Sequence, residues 1–195
     1  TGGAGYIGSH TCLTLLEKQY RVFVIDSFIN SSPESLKRVG EIYKMKNNHA
    51  SNFLNIFKAD ICDKKLLNDI FQKILKSYDK IDGVIHFAGL KSVEESINNP
   101  ISYWDVNVKG SINLLDIMNF HNCHNIVFSS SASIYGKTSL NKIKESSIIE
   151  PATPYGTTKM IIENFLKNIF SSNSDLWRIA NLRYFNPIGA HETGL

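Results

Sequence analysis

No stretch of the 195 residues approaches the roughly 18 consecutive apolar residues that a membrane-spanning helix needs. The charged-then-apolar pattern of a secretory leader is not found at its start. Cysteine is scarce: Cys12, Cys62 and Cys123 are odd in number, far apart and in no CxxC pair, which argues against a disulfide framework and makes a reducing cytosol the expected compartment. Charge of one sign is also lacking. Twenty-one basic and 18 acidic residues leave a formal +3, too little and too evenly spread for nucleic acid or an anionic membrane surface. There is no internal repeat, low-complexity tract or long linker. What remains, 43% hydrophobic and 20% charged residues, is ordinary globular composition and excludes a disordered or fibrous chain.

Short β-branched runs alternate with segments of helical period, the pattern of parallel strands joined by helical crossovers. Strands are predicted at 22–25, 55–59, 83–87, 125–128 and 179–184, most of them nearly continuous apolar runs suited to burial on both faces. Helices are predicted at 5–18, 35–46, 64–77, 101–120 and 155–170, with Asp63 as a cap and Pro100 and Pro154 in first turns. The expected fold is an open, doubly wound α/β sheet of Rossmann type, which binds ligands beyond the carboxyl ends of its strands. The polar segment 44–55 reads as a surface loop. Lys37, Arg38, Lys44 and Lys46 read as a solvated helix face.

Gly2-x-x-Gly5-x-x-Gly8 has the spacing of a dinucleotide loop: a tight turn, a close approach of backbone to pyrophosphate, and a helix packed on the sheet. The following helix would offer its free N–H groups to the phosphates. Asp26, at the end of the next predicted strand and 18 residues after Gly8, can accept ribose hydroxyls and repel a 2′-phosphate, so NAD is expected over NADP. Asp60 either meets the adenine edge or caps a loop. Phe87-Ala88-Gly89 could line the nicotinamide half of the cofactor.

Tyr155 and Lys159 are four apart on a predicted helix and so share one face. A phenol is a poor base at neutral pH, and a nearby cation favours the phenolate. Ser129-Ser130-Ser131 emerges at the carboxyl edge of a strand, where the cofactor's reactive ring should lie. Ser, Tyr and Lys converging there suit hydride transfer at a carbinol carbon, with Tyr155 exchanging the hydroxyl proton. Other groups read as structural: His121-x-Cys123-His124 as a helix-end loop rather than a zinc site, Tyr135 and Trp104 as packing residues, and His86 as a satisfied core histidine.

The blocks Thr1-Gly2-Gly3-Ala4-Gly5-Tyr6-Ile7-Gly8-Ser9-His10, His86-Phe87-Ala88-Gly89-Leu90-Lys91-Ser92-Val93-x-Glu95-Ser96, Phe128 to Gly136, Pro154-Tyr155-Gly156-Thr157-Thr158-Lys159 and Leu182 to Ala190 resemble those of the extended short-chain dehydrogenases/reductases, and among them the UDP-glucose 4-epimerase (UDP-galactose 4-epimerase) branch. The resemblance covers essentially the whole chain, and its Ala88-to-Lys91 block is the most specific part. It implies a catalytic trio of Ser131, Tyr155 and Lys159. It further implies NAD contacts from Gly2, Gly5, Tyr6, Ile7 and Gly8, from Asp26 through Ser31 with Asn30, from Asp60 and Ile61, from Phe87 through Lys91, and from Asn107 and Phe185. Lys91, Ser131, Tyr155 and Asn186 would contact a UDP-sugar. The implied reaction interconverts UDP-glucose and UDP-galactose by transient oxidation at the sugar C4, with NAD held as a prosthetic group, in a homodimer.

Trp104 stands where that branch usually has Tyr, and the 43–55 segment looks longer than usual. Relatives of this kind start earlier, with a strand leading into Gly2, and continue well past Leu195. Residues 1–195 are therefore expected to be a partial NAD-binding domain, with the substrate-binding part beginning near 186–195. Loss of a central strand would leave two unpaired edges and an open core, so this piece is not expected to fold stably alone or necessarily to turn over. Two alternatives stand beside the epimerase. A nucleotide-sugar 4,6-dehydratase would carry an Asp-Glu pair where Ala132-Ser133 stands; a non-catalytic NAD-binding sensor would keep the glycines and Asp26 but not the trio.

Overall fold

The computed structural model describes residues 1–46, 53–137 and 142–194. Among these residues, five parallel strands fall into two sheets. β1 (Val22–Asp26) pairs with β2 (Leu54–Lys58), and β4 (Asn125–Ser131) lies between β3 (Val84–His86) and β5 (Arg178–Tyr184). The two sheets are bridged by Thr1-Gly2: the Gly2 N–H donates to Ile25 O at 2.8 Å, and the Phe87 N–H donates to Thr1 O at 3.0 Å. The order is therefore β2-β1, the bridge, then β3-β4-β5, the doubly wound pattern the alternation predicts. Beyond the bridge the sheets share no ladder among the described residues. A cavity of about 990 Å³ lined by Val22, Val24, Ile85, Leu114 and Ile126 lies between them.

Helices cover both faces. α1 (Tyr6–Glu17) and α2 (Pro33–Lys46) bury Cys12, Leu13, Leu16, Leu36 and Val39 against Val22 and Val24. α3 (Lys64–Leu75), α6 (Gly110–Phe120) and α7 (Pro154–Ser172) cover the other face, over Ile25, Ile126 and Phe128. Leu67, Ile70, Phe71 and Ile74 recur at helical spacing along α3 and are all buried, each stabilising by about 1.5–3 kcal/mol. Asp63 caps α3 by accepting from the Leu66 N–H at 2.9 Å, and Thr153 caps α7 ahead of Pro154.

The predicted helix at 101–120 is more broken than its periodicity implied. α4 (Val93–Asn98) precedes α5 (Pro100–Tyr103), then a π-helical turn (Trp104–Lys109) leads into α6. Pro100 has no N–H to donate back and disfavours helical geometry at Asn99, which ends α4. Sequence periodicity gave no sign of α4 or of the widened turn. α2 continues through Lys44 and Met45 to Lys46, so the loop read from residue 44 begins later; residues 47–52 lie outside the described residues. His86 is a buried core histidine. Its Nδ1 meets Thr1 Oγ1 at 2.7 Å and its Nε2 meets Ser111 Oγ at 2.8 Å, and burial pushes its pKa well below the usual range. His121 Nε2 bonds Asn68 Oδ1 and His124 packs edge-on against Trp177, so the two ring systems serve different neighbours. Trp104, read as a packing residue, is 40% exposed. No helix among the described residues is long and apolar enough to cross a membrane.

Candidate active site

A cavity of about 580 Å³ opens at the carboxyl ends of the strands. Its floor is the glycine loop. Gly2 has φ +69, and a Cβ there would lie 2.4 Å from Ala88 N; a Cβ on Gly8 would lie 2.3 Å from Gly2 O. Both contacts are backbone against backbone, so only glycine lets the bridge, the loop and α1 approach this closely. Gly5 differs: its Cβ would meet nothing nearer than Gly2 O at 3.5 Å, leaving space on the cavity side. No side chain caps α1 and no acid occupies its first turn, so its partial positive charge and first N–H groups face the cavity uncompensated. Such a floor suits a diphosphate.

At the end of β1, buried Asp26 accepts from the Ala4 N–H, the Phe28 N–H and the Ser31 hydroxyl, each at 2.9 Å. A carboxylate has about four lone-pair sites, so three are already used. Accepting two ribose hydroxyls there requires Ser31 to turn its own hydroxyl elsewhere. Asp60 accepts from the Cys62 N–H at 2.8 Å, the loop role, and also lines the cavity.

Ser131, Tyr155 and Lys159 come together at the opposite wall, as their placement on β4 and α7 predicts. The Lys159 ammonium is buried, donates to Ser129 O at 2.9 Å, and lies 4.9 Å from the Phe128 ring centre and 5.8 Å from that of Tyr155. Burial lowers its pKa to about 8. The Tyr155 pKa is raised by burial, and its hydrogen bond with Ser131 pulls the other way. Desolvation thus outweighs the Ser131 bond, and the phenol is not shifted toward the phenolate that a nearby cation was expected to favour. Ser131 also accepts from the Ser133 N–H at 3.2 Å and the Ser133 hydroxyl at 2.8 Å, capping the 3₁₀ turn Ala132–Tyr135 that follows β4.

Tyr6, Ile7, Asn30, Ser31, Ile61, Phe87, Ala88, Gly89, Lys91, Phe185 and Asn186 also line the cavity. Asn107 lies behind its wall. Buried in the π-helical turn, it accepts from the Leu90 N–H at 2.7 Å and donates to Leu90 O at 3.0 Å and Thr158 Oγ1 at 3.2 Å. It therefore fixes the 88–91 loop to the start of α7. Ser130 and Tyr184, to which the sequence assigns no role, line the same cavity. Ser130 Oγ is the one buried side-chain polar atom among the described residues without a partner, and no periodicity could flag an unsatisfied hydroxyl.

A family model described as GDP-mannose 4,6 dehydratase matches residues 1–194. The chain belongs to that family. It is 49% identical over 196 residues to a UDP-glucose 4-epimerase of Yersinia enterocolitica, covering 100% of this chain and 54% of the relative. It is 45% identical to UDP-glucose 4-epimerase 2 of Arabidopsis thaliana, covering 100% and 53%. Among solved structures, the UDP-glucose 4-epimerase of Bifidobacterium longum in complex with NAD+ and UDP superposes with TM-score 0.87 at 40% identity, over 99% of this chain and 54% of that one. That of Stenotrophomonas maltophila, with bound NAD and formylated UDP-arabinopyranose, gives TM-score 0.87 at 39% identity, over 98% and 53%. The chain thus spans about half the length of the curated relatives it matches.

Proposed function

We propose that the full-length protein is an NAD-dependent UDP-glucose 4-epimerase, and that residues 1–195 are its partial NAD-binding domain, with the substrate-binding part beginning near 186–195. The observation that carries the reading is the meeting of Ser131, Tyr155 and Lys159 at one wall of a cavity whose floor is an uncapped helix and a glycine loop. The relatives' names supply the substrate class. The site fits a dinucleotide: Gly2, Gly5, Tyr6, Ile7 and Gly8 would hold the diphosphate, Asp26, Asn30 and Ser31 a ribose, Asp60 and Ile61 the adenine, and Phe87 through Lys91 with Phe185 the other half. When bound, NAD supplies the hydride acceptor that the oxidation at C4 requires and its return. Lys91, Ser131, Tyr155 and Asn186 would meet the UDP-sugar.

In this site Tyr155 takes the proton of the sugar 4-hydroxyl and later gives it back. Ser131 donates to the phenol oxygen and stabilises its charged form, while Lys159, protonated at neutral pH, adds a positive field from within the wall. Desolvation works against the phenolate and exceeds the Ser131 bond, so the phenol pKa stays above its ordinary value. At positions 132 and 133 stand Ala and Ser, neither of which can supply the acid that elimination of water needs; this favours the epimerase over a 4,6-dehydratase.

We infer two further properties of the full-length protein. Ile97, Ile101, Trp104 and Phe120 leave apolar surface exposed along α4 to α6, which supports a homodimer through these helices. Free Cys12, Cys62 and Cys123 support a reducing, cytoplasmic setting. The deciding experiment is nuclear magnetic resonance of the product formed from UDP-galactose by the full-length protein. UDP-glucose is expected. A 4-keto-6-deoxy sugar would replace the reading with a dehydratase, and no product from folded, NAD-loaded protein would leave a cofactor-binding sensor.

A further inference from the structure

One guanidinium ties together the three elements that carry the site. Arg183, on β5, donates from Nε to Glu163 Oε1 and Oε2 at 3.0 and 3.2 Å and from Nη2 to Oε2 at 2.7 Å. Its Nη1 donates to the Tyr135 hydroxyl at 2.7 Å and to Glu145 O at 2.8 Å. The Tyr135 ring centre lies 5.3 Å from the guanidinium carbon. Glu163 is buried and follows Lys159 by about one turn of α7. Tyr135 ends the 3₁₀ turn that Ser131 caps, and Arg183 immediately precedes Tyr184, which lines the cavity with Phe185 and Asn186.

The 3₁₀ turn is held from a second side as well. The Glu150 N–H donates to Ile134 O at 3.0 Å, and Gly136, at φ +65, leaves no room for a Cβ, which would lie 2.0 Å from Glu150 O. The orientation of Ser131 depends on this turn, because its hydroxyl is shared among Ser133 N–H, Ser133 Oγ and Tyr155. A mostly buried ion pair is weak grounds for stability, since desolvation offsets most of its attraction. What a planar, multidentate fork contributes is geometry.

We propose that Arg183, Glu163 and Tyr135 are positioning residues that hold Ser131 and the Tyr184-to-Asn186 segment in register with Tyr155 and Lys159. The proposal rests on the catalytic reading above. None of the three touches the reacting atoms; they act through the 3₁₀ turn, α7 and the end of β5.

The test uses full-length, NAD-loaded protein carrying Tyr135→Phe, Arg183→Lys or the paired Glu163→Leu/Arg183→Leu. The pair removes both charges together, so no lone buried charge is left to unfold the protein. Two quantities are read: kcat and KM on UDP-galactose, and the phenol titration of Tyr155 by ultraviolet difference absorbance against a Tyr155→Phe background. The expected result is a fall in kcat of about tenfold to a hundredfold, with a smaller change in KM, and a Tyr155 titration displaced to higher pH as Ser131 loses its hold on the phenol. An unmoved titration, with kcat falling only in step with the folded, NAD-bound fraction, would reduce the three residues to structural support and overturn the proposal. If the unsubstituted protein makes no UDP-glucose yet the titration moves as expected, positioning stands and the catalytic reading falls. Turnover in the unsubstituted protein with an unmoved titration leaves the catalytic reading standing and removes positioning.

Discussion

Gly5→Ala and Gly8→Ala, made in the full-length protein, separate the two things a glycine loop does. A methyl on Gly8 would sit 2.3 Å from Gly2 O and 2.8 Å from Gly3 Cα. An ordinary carbon–oxygen contact needs about 1 Å more than the first of these, and neither partner is a side chain that can swing away. The start of α1 must therefore move outward by about 1 Å. Overpacking of this kind costs about 1–3 kcal/mol, partly offset by the roughly 1 kcal/mol that Ala gains over Gly within a helix. The displaced N–H groups lose alignment on the diphosphate as well; two charge-assisted hydrogen bonds at about 1.5 kcal/mol each amount to roughly a hundredfold in NAD affinity. A methyl on Gly5 meets only Gly2 O at 3.5 Å, so the fold tolerates it, at about half a kcal/mol for the poorer cap. Gly5 lines the cavity, so on the proposed reading a methyl there takes space from the diphosphate and affinity falls too. Thermal melting of the NAD-free protein and calorimetric titration with NAD read the two effects. Gly8→Ala is expected to lower both Tm and affinity, and Gly5→Ala chiefly affinity, with a smaller change in Tm. The reasoning is refuted if Gly5→Ala binds NAD like the unsubstituted protein, or if it lowers Tm as much as Gly8→Ala does.

Lys159, with its pKa lowered to about 8 by burial, remains protonated in the unfolded chain up to about pH 10.4. Between those values the unfolded state binds more protons, so this residue makes stability rise with pH, by up to about 1.4 kcal/mol per pH unit. Buried thiols whose pKa values are raised, Cys12 and Cys123 among them, act in the opposite sense in every variant. The difference in urea midpoint between the unsubstituted protein and Lys159→Met should therefore narrow from pH 7 to pH 9.5, with the variant the more stable at pH 7 and devoid of activity; a constant difference would contradict the shifted lysine. Asp26→Asn keeps the acceptor that orders the 26–31 loop but removes the negative charge, and should raise affinity for NADP relative to NAD by about tenfold or more in paired titrations. Asn107→Ala frees both polar atoms of Leu90 and should lower the protection of the 88–91 amides in hydrogen exchange, together with kcat; unchanged protection would remove the clamp from the account. Ile101→Glu places a charge in the exposed apolar face and should convert a dimer to a monomer in light scattering, whereas an unchanged mass would move the interface elsewhere.

The strand runs and the parallel order were legible because alternation of apolar segments reports burial on two faces, and that burial is what fixes the sheet. Gly2 and Gly8 were legible because backbone approach admits no other residue, Gly5 because it completes their spacing, and Tyr155 with Lys159 because helical spacing puts them on one face. What escaped the sequence depends on contacts between distant segments. Pro100 marked a helix start, yet nothing local announced α4, the π-helical turn, or Asn107 reaching Leu90 seventeen residues back. Arg183, Glu163 and Tyr135 meet only after β4, α7 and β5 are packed, so no spacing rule could join them. The state of Tyr155 escaped for a related reason: proximity of a cation can be read from a helix, whereas the desolvation that raises the phenol pKa belongs to the closed wall.

The most direct test of the central claim follows a deuterium placed at C4 of UDP-galactose through turnover by the full-length protein in unlabelled water. The account predicts that UDP-glucose retains the label at C4 without loss to solvent or to added dinucleotide, and that Tyr155→Phe forms almost none of it. Label washed out of the product, or undiminished conversion by Tyr155→Phe, would contradict transient oxidation at C4 with Tyr155 as the proton carrier.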